Sequence, residues 1–240
     1  MLREPRREEV GRSLIYFPLI GLIIGLALVG LNWLFRLFLP PMVINALLLV
    51  SLAVISGALH LDGFIDSCDG IAGHKSVEDR WRVMHDSRVG AFGIVSVVLL
   101  LLVQYALLNS IPGNLMPFAL LMMPLLSRWA MVYAVFAYPY ARPSGLGKLF
   151  KDEVTWWGLL LATLITMAIV LALSWLVGAG YFYLSGLAII ISTWVVVTIV
   201  AAYLRRKFSG LTGDSYGTIS EIAEVTVLLL VVLLAYNLFD

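Results

Sequence analysis

The chain has 240 residues, of which 61% are hydrophobic and only 13% are charged. Its mean hydropathy is +0.98, and a soluble domain of this length has too little interior to bury so much apolar surface. The formal net charge of +1 argues against a general nucleic-acid binder, which needs an excess of basic residues. The single cysteine, Cys68, excludes an internal disulfide and a zinc site built from several cysteines of one chain.

Uncharged segments long enough to cross a bilayer recur along the sequence, since a spanning helix needs about 20 apolar residues. Turn residues separate these segments at Pro40 and Pro41, at residues 109–114 and at residues 178–180. The sequence therefore predicts an all-α polytopic membrane protein with about seven transmembrane helices. We expect residues 1–240 to form a single integral membrane domain embedded in the lipid bilayer.

A few ionisable residues are expected at membrane depth. The fourth predicted span contains Arg128, and the last apolar segment, residues 225–239, reaches full length only if Glu221 or Glu224 lies at or inside the membrane boundary. Charged groups at that depth are costly and usually functional. We expect Arg128 to be the counter-ion of such a glutamate or of a substrate phosphate, with a plain structural ion pair as the alternative.

Most charged residues fall on one side of the predicted membrane. Every Lys and Arg except Arg36 and Arg128 lies in the amino-terminal arm or in the loops that follow even-numbered spans. Short basic loops stay in the cytoplasm, so we expect a cytoplasmic amino terminus. All acidic residues except Asp240 lie in the arm and the same loops. The predicted active site comprises the cytoplasmic loops at residues 60–90, 141–155 and 204–222.

An acidic segment follows the second predicted span. Asp62, Asp66 and Asp69 are spaced i, i+4 and i+7, so a helix places all three carboxylates on one face, where they repel one another. A divalent cation relieves that repulsion, and Mg²⁺ prefers carboxylate, water and phosphate oxygens. Gly63 has no side chain to keep a bulky ligand away. Because residues 60–73 contain no Lys or Arg, we favour a Mg²⁺ site over a solvated amphipathic loop.

Two further loops carry groups suited to catalysis or phosphate binding. His85, Asp86 and Arg88 precede the third span, where a histidine beside an aspartate is a candidate base or metal ligand; alternatively, Asp86 with Ser87 caps the span. Arg142 and Lys148 occupy a short glycine-containing loop that could clamp phosphate oxygens. Viewed alone, that loop is equally typical of a positive-inside anchor.

A fourth segment leads into the last span. Asp214 lies near two glycines, and Glu221 and Glu224 share a helix face because they are three residues apart. Asp214 is a candidate metal ligand, and Glu221 is a candidate substrate-binding residue at the membrane boundary.

Together these segments resemble one known family. The motifs are His60-Leu-Asp-Gly63 with Asp66, Asp69 and Gly70, then Asp86-Ser-Arg-Val-Gly-Ala-Phe-Gly93, Ala141-Arg-Pro143, and Thr212-Gly-Asp-Ser-Tyr-Gly217 with Glu221. They occur in the order and with the separations of the adenosylcobinamide-GDP ribazoletransferases, the membrane-bound cobalamin 5′-phosphate synthases. The resemblance covers nearly the whole chain, and the combination is far more specific than any motif alone.

The resemblance implies a phosphoryl transfer in cobalamin biosynthesis. The ribose hydroxyl of α-ribazole, or of α-ribazole 5′-phosphate, attacks the cobinamide-linked phosphate of adenosylcobinamide-GDP, and GMP leaves. It also implies Mg²⁺ and a location in the prokaryotic plasma (inner) membrane, with the active site facing the cytoplasm. Whether the chain forms a homo-oligomer, and which form of ribazole it prefers, stay open at this point.

The resemblance suggests roles for the candidate residues. Asp62, Asp66 and Asp69 would hold Mg²⁺, helped by Asp86 or Asp214. The expected substrate-binding residues are Arg88, Arg142 and Lys148, which would neutralise the leaving GMP, together with Gly63, Arg128 and Glu221. The proton acceptor is His85, His60 or an unliganded aspartate such as Asp86, and spacing does not choose among them.

Two other functions compete with this interpretation. The acidic motif is similar to that of CDP-alcohol phosphatidyltransferases, but Ile65 and Asp66 stand where that family has Ala and Arg, and its downstream half is absent. A transporter would use Arg128, Glu221 and Glu224 as a path for substrate or ions. We place the transporter last, because the acidic residues crowd into loops instead of several spans.

Overall fold

The computed structural model describes residues 7–73, 76–86, 88–177 and 182–239. Within these ranges the chain is almost entirely helical, and the only strand-like pairing is an isolated bridge between Tyr140 and Leu211. The helices are α1 (Arg7–Ser13), followed by a 3₁₀ turn (Leu14–Tyr16), α2 (Phe17–Phe35), α3 (Pro41–Ile55), α4 (Leu59–Ile71), α5 (Val77–Met84), α6 (Ala91–Ser110), α7 (Met116–Ala137), α8 (Leu146–Glu153), α9 (Trp156–Val177), α10 (Phe182–Phe208) and α11 (Gly213–Phe239). The predicted all-α class is confirmed.

The number of apolar helices agrees with the prediction of about seven spans. Six are long and apolar enough to cross a membrane, and α3 with α4 makes a seventh if this bent pair is counted as one span. The predicted break at residues 109–114 lies between α6 and α7, and α11 extends through Glu221 and Glu224. Several predicted features lie outside the described residues, namely the turn at 178–180, Arg3, Arg6, Lys75 and Asp240.

The three segments predicted to be loops are partly helical. Residues 60–90 contain α4 and α5, residues 141–155 contain α8, and residues 204–222 join the end of α10 to the start of α11. The short helices α4, α5 and α8 therefore carry many of the polar residues that the sequence assigned to loops.

Helix α7 forms the centre of the bundle, where it packs against α2, α9 and α11. Glycines on α2 allow the closest of these contacts. A Cβ on Gly21 would lie 2.2 Å from the carbonyl oxygen of Pro124, and one on Gly25 would lie 2.8 Å from that of Leu120. Small residues allow this approach of helix backbones in membrane proteins, so α2 and α7 form a tight pair.

A sharp bend redirects the chain after α3. Gly57 and Ala58 have φ angles of 61° and 55°, and these left-handed conformations turn α4 by 89° from α3. Helix α4 then packs against the first turns of α11, where a Cβ on Gly63 would lie 2.9 Å from the Cα of Asp214. Likewise, a Cβ on Gly217 would lie 2.9 Å from the carbonyl oxygen of His60. The bend therefore brings the aspartate-bearing helix against the amino terminus of α11.

The loops before α8 and α11 are joined through their backbones. The N–H of Leu211 donates to the carbonyl of Pro139, and the N–H of Ala141 donates to the carbonyl of Leu211, both at 2.8 Å. Gly210 allows this approach, because its φ is 146° and a Cβ there would lie 2.8 Å from the nitrogen of Ala141. The arginine-containing loop is thereby held beside the start of α11.

Candidate active site

A cleft of about 310 Å³ opens where α4, α11 and the loop before α8 meet. Three of the four sequence motifs contribute to its walls. Its polar lining includes His60, Asp62, Arg142, Ser144 and Asp214, and its apolar lining includes Phe17, Met131 and Phe150. The fold thus assembles at one site residues as far apart in the sequence as Phe17 and Gly217.

One wall of the cleft combines a basic side chain with a helix amino terminus. Arg142 forms an ion pair with Asp214 at 2.8 Å, and both side chains are partly exposed. Thr212 and Ser215 cap α11 reciprocally: the N–H of Ser215 donates to Thr212 Oγ1, and the N–H of Thr212 donates to Ser215 Oγ. Gly213 lines the cleft and has open space at its Cβ position. This wall suits an anion, because a helix amino terminus carries a partial positive charge.

The opposite wall carries aspartates of α4, and their exposure differs along the helix. Asp62 is exposed and lines the cleft, whereas Asp66 is half-buried. The charges of Asp62, Asp69 and Asp214 all act on Asp66, with Arg142 as the opposing positive charge. We call the carboxylates of Asp62, Asp66 and Asp214 the acidic group. These three negative charges outnumber the single positive charge of Arg142 beside them.

Asp69 occupies a different environment. Its side chain is 8% exposed, and its two oxygens accept hydrogen bonds from the backbone N–H groups of Gly90 and Gly93, at 2.8 and 2.7 Å. A Cβ on either glycine would lie within 2.5 Å of a carboxylate oxygen of Asp69. Asp69 therefore anchors the start of α6, and its role as a metal ligand stays a prediction.

The segment with His85, Asp86 and Arg88 does not line the cleft. Asp86 and Arg88 pair with each other at 2.9 Å on the surface, and hydrogen bonds from Arg88 lower the pKa of Asp86 to about 2. His85 donates from Nδ1 to the carbonyl of Trp81 at 2.6 Å. Asp69 supplies a carboxylate to the first turn of α6. The alternative that Asp86 with Ser87 caps the third span stays a prediction, because Ser87 lies outside the described residues.

Two other predicted substrate-binding residues of this region make local contacts. Lys148 pairs with Asp152 one turn along α8, and it is absent from the lining of the cleft. Gly63 lies against the backbone of Asp214, so its missing side chain makes room for α11 instead of a ligand. By contrast, His60 and Arg142 lie in the cleft wall, as predicted for active-site residues.

Arg128 and Glu221 do not line the cleft and are buried among the helices. Arg128 Nη1 contacts Glu224 Oε1 at 3.2 Å and donates to Ser220 Oγ at 2.7 Å. Gln104 Nε2 donates to Glu221 Oε2 at 3.3 Å, and all of these side chains are buried. The expected ion pair between Arg128 and a membrane-embedded glutamate is confirmed, with Glu224 as the partner.

Sequence reasoning missed several residues that build this region. Gly90 and Gly93 form a Gly-x-x-Gly signal that could have indicated a close approach at the start of α6. Gln104 carries no charge and sits within an apolar span, so nothing in its surroundings marked it as the partner of Glu221. Tyr140 stacks on Tyr216 with ring centroids 6.2 Å apart, a contact that follows only from the joined loops.

The described residues do not by themselves converge tightly on a metal position, since no three of their His, Cys, Asp or Glu side chains stand close enough together. The chemistry of the acidic group nevertheless fits Mg²⁺, which commonly binds one or two carboxylates together with substrate phosphates. Asp62, Asp66 and Asp214 are the carboxylates around the cleft that could serve such an ion.

Comparison with known proteins identifies the family. The sequence profile of the cobalamin-5-phosphate synthases matches residues 2–232. An adenosylcobinamide-GDP ribazoletransferase of Geotalea daltonii is 37% identical over 231 residues, which cover 95% of this chain and 88% of the relative. One of Desulfitobacterium hafniense is also 37% identical, over 92% of this chain and 86% of the relative. No solved structure matches significantly. The chain therefore belongs to the cobalamin-5-phosphate synthase family, as its motifs had indicated.

Proposed function

We propose that this protein is an adenosylcobinamide-GDP ribazoletransferase whose reaction takes place in the cleft between α4 and α11. Family membership supports the activity. The single structural observation that supports the location is that one cleft is lined both by Asp62 of α4 and by Arg142 with the start of α11. The substrates are adenosylcobinamide-GDP and α-ribazole or its 5′-phosphate, and the products are adenosylcobalamin or its 5′-phosphate and GMP.

Arg142 and the amino terminus of α11 bind the diphosphate of adenosylcobinamide-GDP. The Arg142 side chain is already held at the cleft by Asp214, so little conformational freedom is lost when a phosphate oxygen enters. The amino terminus of α11 adds its partial positive charge at the same cleft, whose lining includes Gly213 and Asp214. Arg142 and this helix terminus stabilise the negative charge that develops on the leaving GMP.

Mg²⁺ would be held by Asp62, Asp66 and Asp214. When bound, the ion would supply the additional positive charge that a diphosphate requires. This assignment uses the carboxylates around the cleft and leaves Asp69 to its contacts with α6. The three carboxylates come from two helices, so their separation depends on the contact between α4 and α11.

His60 lies in the wall of the cleft and is one candidate proton acceptor, beside an aspartate of the acidic group that does not hold Mg²⁺. The ribose hydroxyl oxygen of ribazole forms a bond to the phosphorus attached to cobinamide, while the bond from that phosphorus to the oxygen of GMP breaks. The hydroxyl proton must be removed, and His60 lies in the wall of the cleft. His85, Asp86 and Arg88 would take part only if their loop approached the cleft, and their roles stay predictions.

The cleft accommodates only part of the corrinoid substrate. A volume of about 310 Å³ suits the diphosphate and a ribose, whereas the corrin ring must remain outside. In the orientation given by the basic loops, the cleft faces the cytoplasm of a prokaryotic cell and the corrin ring docks on the inner surface of the plasma membrane.

The activity is tested with purified protein in detergent, supplied with adenosylcobinamide-GDP, α-ribazole 5′-phosphate and Mg²⁺. We expect GMP release that Asp66→Asn lowers by at least about a hundredfold, since a metal-binding carboxylate is lost. The exposed Glu78→Gln, which also converts an acid to an amide, should retain wild-type turnover. Turnover of a CDP-alcohol donor in place of adenosylcobinamide-GDP would contradict the proposed function, and normal turnover of Asp66→Asn would contradict the metal assignment.

A further inference from the structure

A second polar cavity lies at the opposite end of the bundle from the cleft. It encloses about 420 Å³ among the ends of α2, α3, α6 and α7. Phe17, at the start of α2, lines the cleft, and Arg36, just after its end, lines this cavity. At 1.5 Å per residue, 19 residues of helix place the two about 28 Å apart, which is close to the thickness of the hydrocarbon core. The cavity is therefore separate from the proposed active site and lies near the other membrane surface.

A buried amide in the cavity wall lacks a hydrogen-bond partner. Asn32 is 2% exposed, and its Nδ2 makes no hydrogen bond to any described residue. The neighbouring Asn45 is also buried, and its Nδ2 donates to Asn109 Oδ1 at 3.2 Å. A buried N–H donor without an acceptor is rare in folded proteins and calls for an explanation. An oxygen-rich ligand in the cavity would supply the missing acceptor.

Arg36 gives the cavity a positive charge. Its Nη2 reaches the carbonyl of Gly113 at 3.4 Å, a weak contact that leaves most of its donors for a ligand. Among the described residues that line the cavity, Arg36 is the only charged side chain, and none is acidic. A guanidinium together with amide donors is a combination that recognises phosphate oxygens.

The surroundings of the cavity point to a lipid as the source of that phosphate. Trp33, Leu37 and Phe38 are each more than 70% exposed beside Arg36. Aromatic side chains at helix ends commonly lie at the level of lipid head groups, and the apolar outer face of α2 continues from there toward the membrane centre. We propose that this cavity binds the phosphate group of an anionic phospholipid from the leaflet opposite the active site.

Native mass spectrometry of delipidated protein in detergent tests the proposal, with phosphatidylglycerol as the probe. Arg36→Gln should weaken phosphatidylglycerol binding about tenfold, as expected for loss of one charge-assisted contact. Asn32→Leu, which removes the unpaired amide at similar volume, should weaken it as well. The matched control is Arg206→Gln, which removes an exposed arginine near the other end of the bundle and should leave binding unchanged. Phosphatidylcholine, which carries the same phosphodiester but no net charge, should bind more weakly than phosphatidylglycerol.

Inorganic phosphate alone forms the second arm of the experiment. If millimolar phosphate binds the wild-type protein and not Arg36→Gln, while phosphatidylglycerol binding is unaffected by the substitution, the cavity is an anion site but its ligand is free phosphate. Equal binding of both probes by wild-type protein and Arg36→Gln overturns the proposal. GMP release by Arg36→Gln should remain at the wild-type level, so failure of this inference is distinct from failure of the proposed transferase activity.

Discussion

Among single residues, the aspartates of α4 share one helix face but have unequal roles. Asp62 borders the cleft, Asp66 lies between other carboxylates, and Asp69 is bonded to two backbone amides of α6. The distinction arises from what each side chain faces, since all three lie on one helix within two turns. Asp69 accepts backbone hydrogen bonds from the amino-terminal turn of α6, where a carboxylate is also stabilised by the helix dipole.

Asp69→Asn should therefore destabilise the protein. An amide offers one oxygen and no charge, so one of the N–H groups of Gly90 and Gly93 would lose its acceptor. We expect the free energy of unfolding to fall by about 2 kcal/mol, measured as a lower thermal unfolding midpoint in detergent. Glu78→Gln is again the control and should unfold at the wild-type temperature. An unchanged midpoint for Asp69→Asn would refute the anchoring role.

Spacing indicated that the three aspartates share one face if their segment is helical, but it could not separate their roles. The partners of Asp69 lie 21 and 24 residues later in the chain, and their approach depends on how α4 and α6 pack. The same limit applies to Gly63, whose missing side chain indicated space without indicating that the backbone of Asp214 fills it.

At the scale of elements, the cleft depends on how α4 crosses the start of α11. The left-handed Gly57 and Ala58 turn α4, and Gly217 of α11 allows α4 to come close. The positions of the spans were predictable because hydropathy and turn residues define them. The bend was not, because Ala58 is a residue that rarely adopts a left-handed conformation, and only the packed structure imposes it.

Gly217→Val should separate the two walls of the cleft. A Cβ at this position would lie 2.9 Å from the backbone oxygen of His60, and backbone cannot move aside without displacing α4. We expect kcat for GMP release to fall by about a hundredfold, the effect of a displacement near 1 Å between catalytic groups. Gly30→Ala is the matched control, because Gly30 lies on α2 with open space at its Cβ position. Equal loss of activity in both variants would contradict this dependence on the contact.

At the scale of the whole molecule, the two ends of the bundle are chemically different. Acidic and basic side chains meet around the cleft, whereas the opposite cavity combines amides with one arginine. Between them, Arg128 and Glu224 form a buried ion pair that joins α7 to α11. Leaving either charge unpaired inside the bundle would be strongly destabilising, so this pair helps to hold α11 in the position that completes the active site.

Charge patterning grouped the polar loops together, and residues from two of these loops and from the acidic segment line the cleft. His60, Asp62, Arg142 and Asp214 were all named from the sequence and all line the cleft. The loop with His85, Asp86 and Arg88 shares that end of the molecule without reaching the cleft. The distribution of charge along the sequence indicates which residues share a surface. The distances between those residues are set by the short helices and by the backbone bridge between Tyr140 and Leu211.

We propose that α4 and α11 together form one metal and diphosphate site. The most direct measurement is electron paramagnetic resonance of Mn²⁺, used in place of Mg²⁺, titrated into purified protein with adenosylcobinamide-GDP present. We predict one tightly bound Mn²⁺ that is lost both in Asp62→Asn, on α4, and in Asp214→Asn, on α11, and is retained in Glu78→Gln. Undiminished Mn²⁺ binding by either of the first two variants would contradict the account.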